Sequence, residues 1–523
     1  MSTLPESTLE TNRYELEALL SDRFVLSWRQ TAVVGLVCAL LVLVSFTPVA
    51  HHTTWLLASR GEAILAQGHL PETDVTQPLS QGLTSHETSW LSSIFWALVA
   101  RQSLEAVSFA VSLLAGCSLV AMAMLLWRRT CNSLLTAVGM ILFATMAWAA
   151  LSLGSETILV LPLWIGLIAL QSREAAKQPR LSDSFLTVAF IVLWANLEAS
   201  VVVGVVYLSA VCFGKVVQAF VQEAGNLDAV LRRRDIRFGV TTLELAILGT
   251  LVTPLGLSLW TERFSSLAFE STPLNLASPG GLAWLLTMLG ASIVLRMHSG
   301  HLRWAELLPF AAFAVACLVS GGMIAWFAPL AVLVLMPLLQ FALQISPDPP
   351  AVDGEVVVES EPARAPLLKF AYTLTAVLLC WIAFAISPLS RPVLGGQPRG
   401  VSQLFDETTP VFAIRYFREH PVEGLVYAPA AWGDLLQSRQ GARVNVFATT
   451  ALENLPQQAR FDYNRISRGE NSWESAADRY HIDAFLVDKQ SQRVLADAVR
   501  GDNAHWQIVH EDDLSLILRR RGA

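Results

Sequence analysis

The chain has 523 residues, 53% of them apolar and only 15% charged, with a formal net charge of −7. Soluble domains carry about 25% charged residues, so this composition excludes an ordinary soluble protein, and the mild acidity gives no footing for a nucleic-acid partner. The six cysteines (Cys38, Cys117, Cys131, Cys212, Cys317, Cys380) all lie in or beside apolar runs, which leaves no disulfide framework and no metal-ligand spacing.

The first 30 residues are polar and include Glu6, Glu10, Glu15 and Glu17, so they lack the basic start and small-residue cleavage site of a secretory signal. The first apolar run therefore reads as a retained anchor. About eleven such runs follow one another, near 31–49, 105–127, 133–151, 157–171, 183–197, 199–221, 238–259, 281–297, 305–320, 322–345 and 367–387. Several approach the ~20 residues that cross ~30 Å of hydrocarbon, and the shorter ones are expected to be tilted, broken or buried by neighbours.

Lys and Arg collect in every second loop: Arg128 and Arg129; Arg173, Lys177 and Arg180; Arg232, Arg233, Arg234 and Arg237; Arg296 and Arg303; Arg364 and Lys369. Short basic loops stay cytoplasmic, so the N-terminus is expected inside the inner membrane, and an odd number of passes places the tail outside. The Arg232–Arg234 cluster needs no role beyond this topological anchor. The resulting division is a cytoplasmic tail at 1–30, a transmembrane domain at 31–387 and an extracytoplasmic domain at 388–523.

Two outer segments exceed what a connection requires. Residues 50–104 read as two amphipathic helices, about 53–67 and 86–100, joined by a turn around Pro71 and Asp74. With Trp55, Trp90 and Trp96 on their apolar faces they are expected to lie along the membrane interface and not to cross it. The tail alternates short apolar strands (423–428, 443–448, 483–488, 506–510, 514–519) with helical stretches (431–438, 472–480, 490–499), which predicts a small α/β domain. Between them, the Pro-rich and acidic stretch 346–366 reads as a cytoplasmic linker.

The stretch from Trp55 through Gly61, Ile64, Gly68, Pro71 and Asp74 to Trp90-Leu91 follows the pattern D-x-W-W-H-L-x-x-G, I-x-x-x-G-x-I-P-x-T-D, W-L. Three more segments match in kind: Trp194-Ala195-Asn196-Leu197-Glu198-Ala199 with Gly204 (W-x-N-x-H-G), Thr253-Pro254-Leu255-Gly256 (N-P-x-G) and Glu270 with Pro273 (E-W-x-P). Trp432-Gly433-Asp434-Leu435, Trp473, and Trp506 with Glu511-Asp512-Asp513 do so in the tail. On these residues the chain resembles a group of bacterial membrane proteins with the GT-C-type glycosyltransferase fold. The resemblance implies a polytopic α-helical protein that takes a sugar from a polyprenyl-phosphate carrier at the outer membrane face. It also implies a first-loop acid that serves as general base or as ligand to a divalent cation, with basic or amide groups holding the phosphate.

The departures fall on that chemistry. Thr53 stands where the aspartate is expected, Leu57 replaces the following histidine, and Glu198-Ala199 replaces histidine-glycine. The tail's D-G-R element is absent, because Val444-Asn445-Val446 runs into Phe447-Ala448-Thr449. If catalysis is retained the acid has moved, and Asp74 and Glu198 are the candidates. Each has a bland reading as well, Asp74 as a turn residue and Glu198 as the solvated reversal between two spans. His51, His52, Glu87, Asn196 and Glu270 are candidate substrate-binding residues, although paired histidines after a span or an acid at a helix start also occur without function. The alternative is a catalytically inactive relative that serves as an envelope scaffold or binds the carrier lipid. A transporter is disfavoured, since no ionisable residue must sit near the bilayer midplane and no half repeats the other.

Overall fold

The computed structural model describes residues 25–49, 53–74, 77–80, 82–83, 88–174, 180–261, 272–297, 303–348, 365–397, 399–440, 444–470, 472–502 and 504–521. Its principal helices, in chain order, are α1 (Trp28–Ser45), α2 (Thr54–Gln67), α3 (Trp90–Gln102), α4 (Leu104–Thr130), α5 (Ser133–Met146), α6 (Glu156–Glu174), α7 (Leu181–Leu197), α8 (Val201–Gln222) and α9 (Arg234–Gly249). After these come α10 (Pro279–Met297), α11 (Trp304–Val319), α12 (Ile324–Ala342) and α13 (Ala365–Ile386). The chain forms two compact units that interleave along the sequence: Met1–Phe46, Gly116–Trp148 and Pro273–Gly395 in the first, Thr47–Ala115, Ala149–Thr272 and Gly396–Ala523 in the second.

Every apolar run of the sequence is helical at its centre, and the protein is a multi-pass membrane protein. Among the described residues, five helices are able to cross a membrane by length and composition, or six if the bent pair Ala371–Ile386 and Pro388–Leu394 counts as one span. Four more apolar helices are shorter than 18 residues, so the structure does not establish the eleven spans expected from sequence. The run at 238–259 falls furthest short, since α9 stops at Gly249 and begins with Arg234, Asp235 and Arg237.

The first unit is helical. Its entry is set by a capping box in which Ser27 Oγ accepts from the Gln30 N–H (3.3 Å) and Gln30 Oε1 from the Ser27 N–H (2.9 Å). Helix α12 is its core, with Trp326, Phe327 and Met336 buried, and α5 packs so closely at Gly139 that an added Cβ would lie 3.1 Å from Met336 Cγ. Asp348 closes one end by accepting from the Ser133 N–H (2.8 Å) and Arg29 Nη1 (3.2 Å).

The second unit gathers the 50–104 segment, α6–α9 and the tail. Helices α2 and α3 pack so closely that a Cβ at Gly61 would lie 2.0 Å from the Ser93 carbonyl oxygen. Gly61→Ala must pry the two main chains apart and is expected to destabilise this unit by about 1–3 kcal/mol, read as a lower thermal midpoint; an unchanged midpoint would refute the packing. Helix α2 ends at Gly68, whose φ of +73° forms a left-handed cap. Trp55 and Trp96 are fully buried (0% exposed), so protein covers these two rings on the apolar faces of the pair. Amphipathicity shows that a face needs cover without showing what covers it.

The tail holds α14 (Val411–Glu419), β1 (Leu425–Tyr427), α15 (Ala430–Gln440), β2 (Asn445–Val446), α16 (Gln457–Ser467), α17 (Trp473–Arg479), β3 (Ile482–Asp488), α18 (Arg493–Gly501), β4 (Trp506–Glu511) and β5 (Ser515–Arg520). The sheet order is β2-β1-β3-β5-β4, parallel through β2, β1 and β3 and antiparallel beyond. Successive β3 residues serve opposite faces, Phe485 packing with Tyr427, Trp473 and Trp506, and Leu486 with Val426, Phe417 and Trp432. A strand covered on both faces reads as a continuous apolar run, as 483–488 does.

Candidate functional site

The second unit brings one acid to the position the sequence leaves without one. Thr53 caps the start of α2 with φ +43° and ψ −65°, a conformation that strains a residue with a branched side chain. Its N–H donates to the carboxylate of Asp434 on α15. The same carboxylate accepts from the Thr450 N–H (2.9 Å) and Thr450 Oγ1 (2.6 Å), and Arg60 attracts it from α2. Thr450 directly follows the Phe447-Ala448-Thr449 stretch that replaces D-G-R. Asp434 therefore meets both places where the resemblance expects an acid and the sequence has none.

Asp434 has no exposed surface. Burial raises its pKa from 3.8 to about 7, against the downward pull of the Thr450 hydrogen bonds, Arg60 and the Thr53 N–H. Two neighbours fix its placement. A Cβ at Gly433 would lie 2.3 Å from the Ala448 carbonyl oxygen, and Trp432 Nε1 donates to the Thr408 carbonyl (3.1 Å). Further along α15, the Arg439 guanidinium stacks 4.6 Å from the Trp55 ring centre, and Trp55 packs at 6.0 Å on Phe405. Burial lowers the pKa of Arg439.

The sequence candidates fall into separate settings. Asp74 (5% exposed) accepts from Ser80 Oγ (3.1 Å) and Asn454 Nδ2 (3.0 Å), while Gln77 Nε2 donates to the Ala451 carbonyl (3.0 Å), so this turn is clipped to the tail. Asn196 accepts from Trp90 Nε1 (3.0 Å) and donates to the Val192 and Val252 carbonyls. Glu198 (7% exposed) accepts from Thr157 Oγ1 (3.2 Å). His51, His52, Glu87 and Glu270 lie outside the described residues. Among the described residues no group of three or more His, Cys, Asp or Glu is placed to hold a metal ion.

Sequence reasoning missed Asp434 and Arg439 as site residues. The available signal was the combination of an acid-free position 53, a lost D-G-R and an acid inside the matching Trp432-Gly433-Asp434 stretch.

A membrane-embedded helical body with a C-terminal mixed-sheet domain defines the GT-C-type glycosyltransferase fold, and this chain has that fold. It is similar to the Archaeoglobus fulgidus oligosaccharyltransferase AglB in complex with an inhibitory peptide and a dolichol-phosphate, at 12% identity over 88% of this chain and 71% of that one, with a TM-score of 0.52. The same enzyme tethered to an acceptor peptide gives 12% identity, 90% and 72% coverage and a TM-score of 0.52. ArnT from Cupriavidus metallidurans bound to undecaprenyl phosphate is similar at 11% identity over 94% of this chain and 98% of that one, with a TM-score of 0.50. At such identities the likeness is one of fold. No protein-family model and no curated protein matches the sequence.

Proposed function

We propose that this chain transfers a sugar from a polyprenyl-phosphate carrier at the outer membrane face, with Asp434 taking the acceptor's proton. The observation that carries this reading is the contact of the Asp434 carboxylate with the Thr53 N–H and Thr450. In the reaction an acceptor hydroxyl attacks the anomeric carbon, the bond from that carbon to the phosphate oxygen breaks, and the electron pair leaves with the carrier phosphate. The hydroxyl proton passes to the carboxylate, and a pKa of about 7 suits that task at neutral pH. Because Asp434 is fully buried, α15 must part from α2 for the acceptor to reach it. Asp74 and Asn196 act in this scheme by holding the 50–104 segment to the tail and to α7, and Glu198 by tying the end of α7 to Thr157 of α6. Support for the carrier comes from the dolichol-phosphate and undecaprenyl phosphate bound by AglB and ArnT. The outer face rests on the Lys and Arg bias of the loops.

A second reading, an inactive carrier-binding relative, is favoured by the same burial and by threonine at position 53. Native mass spectrometry of the purified protein tests what both share. Retention of a polyprenyl phosphate is the expected result, and its absence with carrier added in excess would refute both.

A further inference from the structure

A pocket of about 260 Å³ lies in the tail beside the proposed acid. Its apolar lining includes Leu104, Phe405, Ile414 and Leu435, and it contains three guanidinium groups, those of Arg415, Arg418 and Arg439. Leu435 is the neighbour of Asp434 on α15, and Leu104 is the first residue of α4, one of the helices long and apolar enough to span a membrane. The pocket thus borders the first turn of a helix able to span a membrane. Arg399, bonded to Glu105 (3.3 Å) and Ser108 (2.6 Å), fixes the first turn of α4 there.

Among the described residues, Arg439 Nη2 at the inner end is buried without a hydrogen-bond partner, which costs free energy unless something else accepts from it. Its contact with Trp55 is one of guanidinium against ring and does not take up the Nη2 donors. Arg415 and Arg418 are exposed at the rim on α14. A neighbouring recess of about 550 Å³ shares Phe405 and Arg415 but carries Asp406, Glu407, Asp512 and Asp513, so an anion is repelled from that side and directed toward Arg439.

We infer that this pocket binds the phosphate of a membrane lipid, with Arg439 as its inner ligand and Arg415 and Arg418 closing over it from the rim. Guanidinium groups match phosphate oxygens in bidentate geometry, and the apolar wall takes the first carbons of the chain. The inference rests on the carrier reading for the identity of the lipid, the polyprenyl phosphate itself. The inner ligand Arg439 lies five residues along α15 from the acid that serves the acceptor, and the lining residue Leu435 directly follows that acid.

The test uses the full-length protein in mild detergent, with undecaprenyl phosphate, undecaprenol, phosphatidylglycerol and inorganic phosphate as separate probes read by native mass spectrometry. Arg439→Gln is expected to weaken undecaprenyl phosphate at least about tenfold, and uncharged undecaprenol to bind the unaltered protein about as weakly. Arg439 packs on Trp55, so its replacement carries a folding risk. The double variant Arg415→Gln/Arg418→Gln alters exposed side chains only and is expected to weaken binding several-fold, whereas Arg500→Gln, which at the Glu511 ion pair removes the same single charge as Arg439→Gln, leaves it intact. Undecaprenyl phosphate bound equally by all variants would overturn this pocket and leave the carrier reading standing with its site elsewhere. No undecaprenyl phosphate bound by the unaltered protein would sink the carrier reading; Arg439-dependent retention of phosphatidylglycerol would then still support a lipid phosphate site, and its absence would sink both. Arg439-dependent binding of inorganic phosphate alone would overturn the lipid.

Discussion

Replacing Asp434 with asparagine is expected to lower sugar transfer by about 10²–10⁴-fold, the range for loss of a positioned general base. The unaltered protein should show kcat/KM rising with pH through an apparent pKa near 7, and Asp434→Asn should lose that limb. Stability gives a second, independent readout. The folded-state pKa is raised, from 3.8 to about 7, so between these values the folded protein holds a proton that the unfolded chain has released. The stabilising contribution is fully present below about pH 3.8 and is lost as pH rises toward 7, amounting to about 4 kcal/mol in order of magnitude. Asparagine does not titrate, and at pH 5 it replaces a carboxyl that is itself protonated in the folded protein. The unaltered protein should therefore lose stability relative to the variant as pH rises from 5 to 8, and the gap between their thermal midpoints should shift in the variant's favour. A gap that stays constant from pH 5 to pH 8 would show that Asp434 does not titrate there. Transfer by the unaltered protein that survives Asp434→Asn would remove the acid's role, and Asp74→Asn and Glu198→Gln become the next variants to measure.

The tail strands were legible because each alternates or runs apolar over a few residues between turn residues, and that pattern is local. The helices were legible for the same reason, as far as their centres. Their lengths were not, because α9 stops short of the segment around Pro254 and starts on charged residues ahead of the apolar estimate. Trp55 and Trp96 illustrate a different limit: the sequence marks an apolar face, and only the packing of α2 on α3 and of Trp55 on Phe405 shows that protein covers it. The candidate site suffers most from distance along the chain. Asp74 was noticed as an acid in a matching motif, but its bond to Asn454 spans 380 residues. Asp434 reaches Thr53 over a similar separation, and no periodicity in either segment encodes that meeting. Arg439 reads in sequence as an ordinary basic residue in the last turn of a helix, and becomes unusual only when one of its nitrogens is found buried without a partner.

Gly433→Ala is expected to be the most damaging small substitution in the tail. The added Cβ would sit 2.3 Å from the Ala448 carbonyl oxygen, and a main-chain atom held beside β2 cannot yield by a change of rotamer. Helix α15 must move away, and the next residue, Asp434, then loses donors from Thr450 and Thr53. Overpacking alone costs about 1–3 kcal/mol, and a buried carboxylate separated from its partners about 3–5 kcal/mol. Gly501→Ala, with no heavy atom within 4 Å of its Cβ, supplies the matched control and should change the thermal midpoint little. If Gly433 acts through Asp434, the two effects overlap, because a displaced neutral amide is less costly to bury than a displaced carboxylate. The double variant Gly433→Ala/Asp434→Asn should then be no less stable at pH 8 than Gly433→Ala alone. Fully additive losses would mean that the glycine serves packing against Ala448 only, and a Gly433→Ala protein as stable as the unaltered one would mean that α15 does not approach Ala448 as closely as the structure places it.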